Sequence, residues 1–373
     1  DGVSGRPSLA PPSTSTAAFK IFNSSVNIFN IDVKPTASVA YGVSASSSYV
    51  TVSSVNIDSS GKIWKAGVAL SSYSAVSYSS ITVQNAHGIH ITGSVNTVSM
   101  STAANNSVAT YYALSLPGAS SNTITQSYFS NLTGDSVSLS NGSRNNSISL
   151  STIAGDYSTA LTLNNVTSNT ITQTLITSQN GNGLTVSLIN SNFNTISYST
   201  MTMNIEDASA ILLDNSSSNT ITHCMLSNPA GLAATLQNNS KNNTISHSTF
   251  TNLGAGTNYT ILLHTVSSNT ITQSYISNMG GGNVVRLFLS NYTTLSYSTV
   301  TNNGTGSSLY LDSSGSNTIT QSYISNSAGS GASILSGSNN TISYSTITSK
   351  GANYYGLSIT QVSLSSITNS YIQ

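Results

Sequence analysis

The phrase NTITQSYIS, spelled NTITQSYFS in its copy from Asn122, returns, slightly varied, along most of the chain. It reads NTITQTLIT from Asn169, NTITHCMLS from Asn219, and NTITQSYIS again from Asn269 and Asn317. Sister copies sit between them: NTISYSTMT from Asn194, NTISHSTFT from Asn243 and NTISYSTIT from Asn340, with looser members at Asn96, Asn146 and Thr293. The aliphatic third position (Val98, Ile124, Ile148, Ile171, Ile196, Ile221, Ile245, Ile271, Leu295, Ile319, Ile342) advances in steps of 23 to 26 residues. A period of this size marks a repeat architecture in which one small unit stacks on the next.

Within each unit a second apolar position follows five residues later, as at Phe129, Ile153, Ile176 and Phe250. A third segment lies midway and alternates with period two, as in Leu161/Leu163, Ile261/Leu263 and Leu309/Leu311. That alternation is the mark of a half-buried strand. Helix is excluded, because the motifs are dense in β-branched Thr, Ile and Val mixed with Ser and Asn, all weak helix formers. Three short strands and three turns in about 24–25 residues predict one coil of an all-β parallel solenoid, with roughly 14 coils in the chain. Residues 1–21 hold three of the six prolines and no repeat, and are expected to form an extended arm. Residues 22–95 are read as degenerate coils or a cap, with Lys62, Trp64 and Lys65 in an atypical insertion, and 96–373 as the regular solenoid.

The motif resembles the N-x-I-x-x-N-x-I repeat of the right-handed parallel β-helix, found in the carbohydrate-binding and sugar-hydrolase superfamily and in archaeal and bacterial surface proteins. The likeness spans roughly residues 70–373 and implies a right-handed coil; activity does not follow from a fold. One departure is that Ser or Thr stands where the family often stacks inward Asn: Ser127, Ser151, Thr174, Ser199, Ser248, Ser274, Ser298, Ser322 and Ser345. Cys224, the single cysteine, falls in the same column and reads as a small buried filler rather than a nucleophile. The initial Asn of each motif is expected at a bend, in the left-handed conformation, laddered to the next Asn.

Charged residues are 5% of the chain and formal net charge is zero, so there is no basic face for nucleic acid. No run of 18 apolar residues appears, hence no helical membrane span is expected. The sequence opens at Asp1-Gly2-Val3, which suggests a processed, exported form located outside the cell or at its surface. Thirteen Asn-x-Ser/Thr sequons agree with export and are candidate glycosylation sites: Asn23, Asn105, Asn131, Asn141, Asn145, Asn165, Asn215, Asn238, Asn242, Asn258, Asn291, Asn303 and Asn339. A chain so rich in Asn, Ser and Thr also generates sequons by chance.

Catalytic groups are sparse. Asp214 and Asp312 share a motif phase but lie four coils apart, roughly 19 Å, too far for a glycosidase pair, which needs about 10 Å or less. Glu206 and Asp207 are adjacent and face opposite ways if they lie in a strand, whereas in a loop they could converge. His223 and His247 should stack on adjacent coils, an arrangement that suits a cation only with further ligands; the plainer reading is two polar occupants of a column otherwise filled by Gln and Tyr. Threonine arrays admit an ice-binding reading, weakened by the bulky side chains beside them. No catalytic residue, metal or cofactor is expected, and the chain reads as a non-enzyme.

Tyrosine is the outlier, 19 residues against one tryptophan. Tyr128, Tyr275 and Tyr323 alternate with Tyr198, Tyr297 and Tyr344 in a two-coil rhythm suited to lateral packing. The sequence ends in a motif copy containing Ile367, Tyr371 and Ile372, whose open strand edge invites end-to-end pairing. The expectation is therefore a secreted, glycosylated homopolymer subunit of a filament, sheath or surface layer. The alternative is a monomeric adhesin or carbohydrate-binding module; a polysaccharide lyase or hydrolase ranks lower.

Overall fold

The computed structural model describes residues 6–11, 16–107, 110–181, 183–254 and 258–373. The chain divides into two compact units, Asp1–Gly183 and Leu184–Gln373. Each is a parallel β-solenoid, and among the described residues there is no helix. A turn of the first unit runs through Thr123–Thr125, Tyr128–Asn131 and Val137–Ser140. The equivalent turn of the second unit runs through Thr270–Thr272, Tyr275–Asn278 and Val285–Phe288. In each unit the first and second strands of successive turns build one parallel sheet and the third strands build another. The first unit contributes seven third strands and the second eight, about 15 turns where the sequence suggests roughly 14.

The repeat dictates the turn residue by residue. In N-T-I-T the Asn and Ile point inward and the two Thr outward; Asn122 and Ile124 are buried while Thr123 is exposed. Register keeps like on like: Ile124 pairs with Ile148, and Ile245 with Ile271. Burying one such side chain contributes about 1.5–3 kcal/mol, so the aliphatic columns supply the bulk of the cohesion.

Polar ladders close the corners. Within the first unit the amide N–H of Asn96 and its side-chain Nδ2 both donate to Oδ1 of Asn122, at 2.8 and 3.0 Å. Asn122 does the same to Asn146. In the second unit the run is Asn194, Asn219, Asn243 and Asn269. The corner amides cannot reach a strand partner, so these buried side chains meet their hydrogen-bonding need. The serine column works likewise: Ser127 Oγ donates to the Thr125 carbonyl at 2.8 Å and accepts the Ser101 N–H at 3.2 Å. Cys224 fits this column, its Sγ within 3.3 Å of the Thr222 carbonyl, and burial pushes its thiol up to about 11.

Three expectations are corrected. The ladder Asn is not the left-handed residue; that conformation belongs to the residue before it, such as Ser121, Phe193, Asn242 or Tyr292, all with φ between +55° and +58°. The chain must turn before the inward Asn, whose side chain is committed to the interior. Residues 17–21 are not an arm: Ala17–Ile21 is a strand paired in parallel with Val39–Ala45, because Ala17 and Ile21 bury against the next turn. Nor are Trp64 and Lys65 in a cap, since Ile63–Leu70 is a third strand of the first unit.

Thr293 is the one member of the second unit's ladder from Asn269 to Asn340 that is not Asn. Its Oγ1 is buried without a partner, and it lines a small void with Ile271 and Leu295. Thr293→Asn is expected to stabilise this unit by about 1 kcal/mol, because the new Oδ1 meets the donors of Asn269. A rise in the urea midpoint checks it.

Candidate functional site

The first unit departs from the repeat where its third strands carry large outward side chains. Ile63–Leu70 reads IWKAGVAL and His87–Ile91 reads HGIHI. Val39 pairs with Ile63 but Tyr41 with Ala66, so the strand bulges at Trp64 and Lys65. A bulge re-aims side chains out of the ladder, and Trp64 is 52% exposed. Ala66 pairs with His87 and Ala69 with His90. Gly88, between the histidines, allows close approach of the next turn: a Cβ there would lie 2.4 Å from the Ala113 carbonyl oxygen.

Tyr41, Trp64, Lys65, His87, His90 and Tyr111 line an open cleft of about 320 Å³. The imidazoles of His87 and His90 stack at 4.8 Å, with Tyr111 edge-on to His87 at 5.3 Å and Tyr112 stacked on it at 5.5 Å. Lys65 Nζ lies 4.9 Å above the Trp64 ring and 5.7 Å from that of Tyr41. His87 Nδ1 accepts the Tyr112 N–H at 3.1 Å, which places the neutral ring's proton on Nε2. Burial, then the neighbouring His90, brings His87 down to about 4. Burial also lowers His90, whose Nδ1 has no hydrogen-bond partner. Tyr112 is raised by burial and by the charge of Asp135, with a Ser138 hydrogen bond opposing. Asp135 in turn accepts from Thr162 Oγ1 at 2.8 Å. The cleft thus offers aromatic faces, one cation and two neutral imidazoles able to accept or donate a proton.

The residues singled out from sequence lie elsewhere. In the second unit His223 and His247 stack at 4.7 Å with planes 1° apart, and Tyr198 covers His223 at 4.6 Å. Face-to-face rings aim their in-plane nitrogens in parallel, not at one point. Among the described residues no three His, Cys, Asp or Glu come together as a metal set. Glu206 and Asp207 are exposed, and Asp214 accepts from Gln237 and Asn238. Tyr128, Tyr198, Tyr275, Tyr297, Tyr323 and Tyr344 are all exposed; Tyr275 pairs with Thr299 and Thr299 with Tyr323. Ile367, Tyr371 and Ile372 are exposed on the strands Ser366–Thr368 and Tyr371–Ile372.

Of the sequons, Asn105 and Asn131 are corrected: both are buried, with Nδ2 donating to Ala86 O at 2.8 Å and to Tyr111 O at 3.0 Å. Asn258 is half-buried, and the remaining ten are exposed. Sequence reasoning missed Trp64, Lys65, His87, His90, Tyr111 and Tyr112. The available signal was HGIHI, which keeps an inward alternation at Ile89 and Ile91 while placing imidazole where other turns carry Ser115 and Ser138.

The family model for the right-handed β-helix region matches residues 113–260 and 209–372. The chain belongs to the right-handed β-helix family. No curated protein matches it. Among solved structures, a double mutant of the periplasmic alginate epimerase AlgG is similar at a TM-score of 0.50 and 10% identity, covering 86% of this chain and 76% of that one. The A-module of the mannuronan C-5 epimerase AlgE6 of Azotobacter vinelandii is similar at TM-score 0.43 and 9% identity, over 98% and 91% of the two chains. The DFA-IIIase of Arthrobacter chlorophenolicus A6, in complex with DFA-III, is similar at 0.41 and 10%, over 84% and 83%. The expectation of a non-enzyme is overturned here, because an alginate epimerase shares this β-helix. At this identity the fold is what is shared. Among the described residues no helix is long and apolar enough to cross a membrane.

Proposed function

We propose that this β-helix is a carbohydrate-active protein that engages a glycan in the Trp64–His87–His90 cleft, and that it works outside the cytoplasm. The carrying observation is the cleft itself: Trp64, Tyr41 and Tyr111 give ring faces for the apolar side of a sugar, beside an unpartnered His90 Nδ1 and the Lys65 ammonium. Rings with few, well-placed polar groups are what a small-ligand site requires. Neutral His90 gives the same cleft a proton acceptor, and the Nε2–H of neutral His87 with the protonated Tyr112 hydroxyl give it donors, for chemistry on the bound sugar.

A panel of neutral and acidic oligosaccharides titrated into the full chain tests the reading. Trp64→Ala is expected to weaken the best ligand at least about 10-fold, or about 1.4 kcal/mol, and Trp64→Phe to restore part of it. Equal affinity in all three proteins would remove the cleft as the site. Lateral self-association through the alternating exposed tyrosines of the second unit is the second reading, supported by the regular Tyr275–Thr299–Tyr323 register. A single, concentration-independent monomer in sedimentation velocity would exclude it.

A further inference from the structure

We propose that the outer face around Arg286 in the second unit is a separate binding site for a neutral sugar ring bearing adjacent hydroxyls. Arg286 lies on the third strand Val285–Phe288, flanked in register by Leu262 and Tyr310, and the same column holds Thr235 and Ser333 in other turns. Neighbouring turns therefore pair without a charge at this position. Among the described residues of this unit, Arg286–Asp312 is the sole ion pair, with Nη2 3.2 Å from Oδ2. Taking a guanidinium and a carboxylate mostly out of water, as here with 23% and 18% of each side chain exposed, costs desolvation energy, so such a pair is weak support for the fold. A strand face in a chain with so few charges has no structural need of it.

The surroundings point to a ligand. Nη1 of Arg286 donates to the Tyr259 hydroxyl. The guanidinium carbon lies 5.0 Å from the ring centres of Tyr259 and Phe288 and 5.6 Å from that of Tyr310. His264 extends the aromatic surface by stacking on Phe288 at 5.2 Å. The Nε–H is buried and has no acceptor, which a protein rarely tolerates without a partner for it. Asp312 already neutralises Arg286, so an anion gains little here. What the pair presents instead is a carboxylate acceptor and guanidinium donors side by side, the complement of two neighbouring hydroxyls. The rings of Tyr259, Phe288 and Tyr310 supply the apolar platform for the opposite face of a pyranose. Burial and the Asp312 charge raise Tyr310, against a smaller opposing effect of Arg286, so its hydroxyl stays a donor.

The test uses the full chain carrying Trp64→Ala, which removes the cleft's platform, titrated with cellohexaose, mannohexaose and trigalacturonate. At least one neutral hexaose should still bind, with saturation transfer to its ring protons. Adding Arg286→Met should weaken that residual binding at least 10-fold, and adding Tyr310→Phe, which removes only a hydroxyl, about 5-fold with an unchanged melting temperature. No residual neutral binding, binding of trigalacturonate alone, or affinities within 2-fold in the added variants would overturn the proposal. The two sites fail separately: if Trp64→Ala changes nothing while Arg286→Met abolishes binding, the cleft reading falls and this one stands.

Discussion

Asn243→Ala is expected to lower the unfolding free energy of the second unit by about 3 kcal/mol. Asn243 is buried in the middle of a ladder, and its Oδ1 accepts both the Asn219 N–H at 2.9 Å and the Asn219 Nδ2 at 3.1 Å. Its own Nδ2 donates to the Ser216 carbonyl at 2.8 Å and to Asn269 Oδ1 at 3.1 Å. Alanine removes all four contacts and leaves the Asn219 amide without its acceptor, away from water. Leaving such a donor unmet costs about 1–3 kcal/mol, more than a typical net hydrogen bond contributes. The adjacent Asn242 is the control. It is exposed, with φ of +58°, so Asn242→Gly should shift stability by no more than about 0.5 kcal/mol. Urea denaturation of protein made without N-glycans measures both. Equal effects at 242 and 243 would mean that the ladder does not hold the turns together.

The contrast between these two neighbours shows how much of the fold was legible in the sequence. Inward positions are constrained in every turn by the same partners above and below, so Ile, Ser and Asn recur with the period and declare the solenoid directly. The left-handed corners were less legible. Gln126, Tyr198, His223 and His247 all sit at φ between +49° and +53°, though neither glutamine nor tyrosine ordinarily marks that conformation. The hydrogen-bonded residue behind each corner, Ser127, Ser199 and Ser248 or Cys224 behind His223, holds it, whatever side chain points outward.

The candidate site was hidden for a related reason. Outward positions answer to no repeat, so Trp64, His87 and His90 look like noise in turns where the motif has already decayed. Their convergence depends on a bulge between Ile63 and Ala66 that only pairing with Val39 and Tyr41 reveals. Arg286 and Asp312 were visible as rare charges, but their diagonal contact across neighbouring turns required the register of Val285–Phe288 against Leu309–Asp312. By motif phase Asp312 aligns with the distant Asp214, and phase alone says nothing of the cation beside it.

Acidification from pH 7 to pH 4 is expected to destabilise the first unit through His87 by about 3 kcal/mol. The folded chain holds His87 at about 4 while the unfolded chain titrates near 6.5. Between those values the unfolded state carries more protons, so stability falls as pH falls; above 6.5 the term vanishes, and below 4 the loss is complete. His90, lowered by burial, adds to the effect in the same direction. The groups facing the pair are Lys65 in the cleft and the phenols of Tyr41, Tyr111 and Tyr112, none of which becomes negative in this range to offset an imidazolium. His87→Asn keeps an acceptor for the Tyr112 N–H, bonded at 3.1 Å in the native chain, and abolishes the titration. Urea midpoints at pH 7 and pH 4 should therefore diverge much less in His87→Asn than in the native protein. An identical acid loss in both would show that the imidazole charges freely in the folded cleft, and its role as a neutral Nε2–H donor near physiological pH would fall with it.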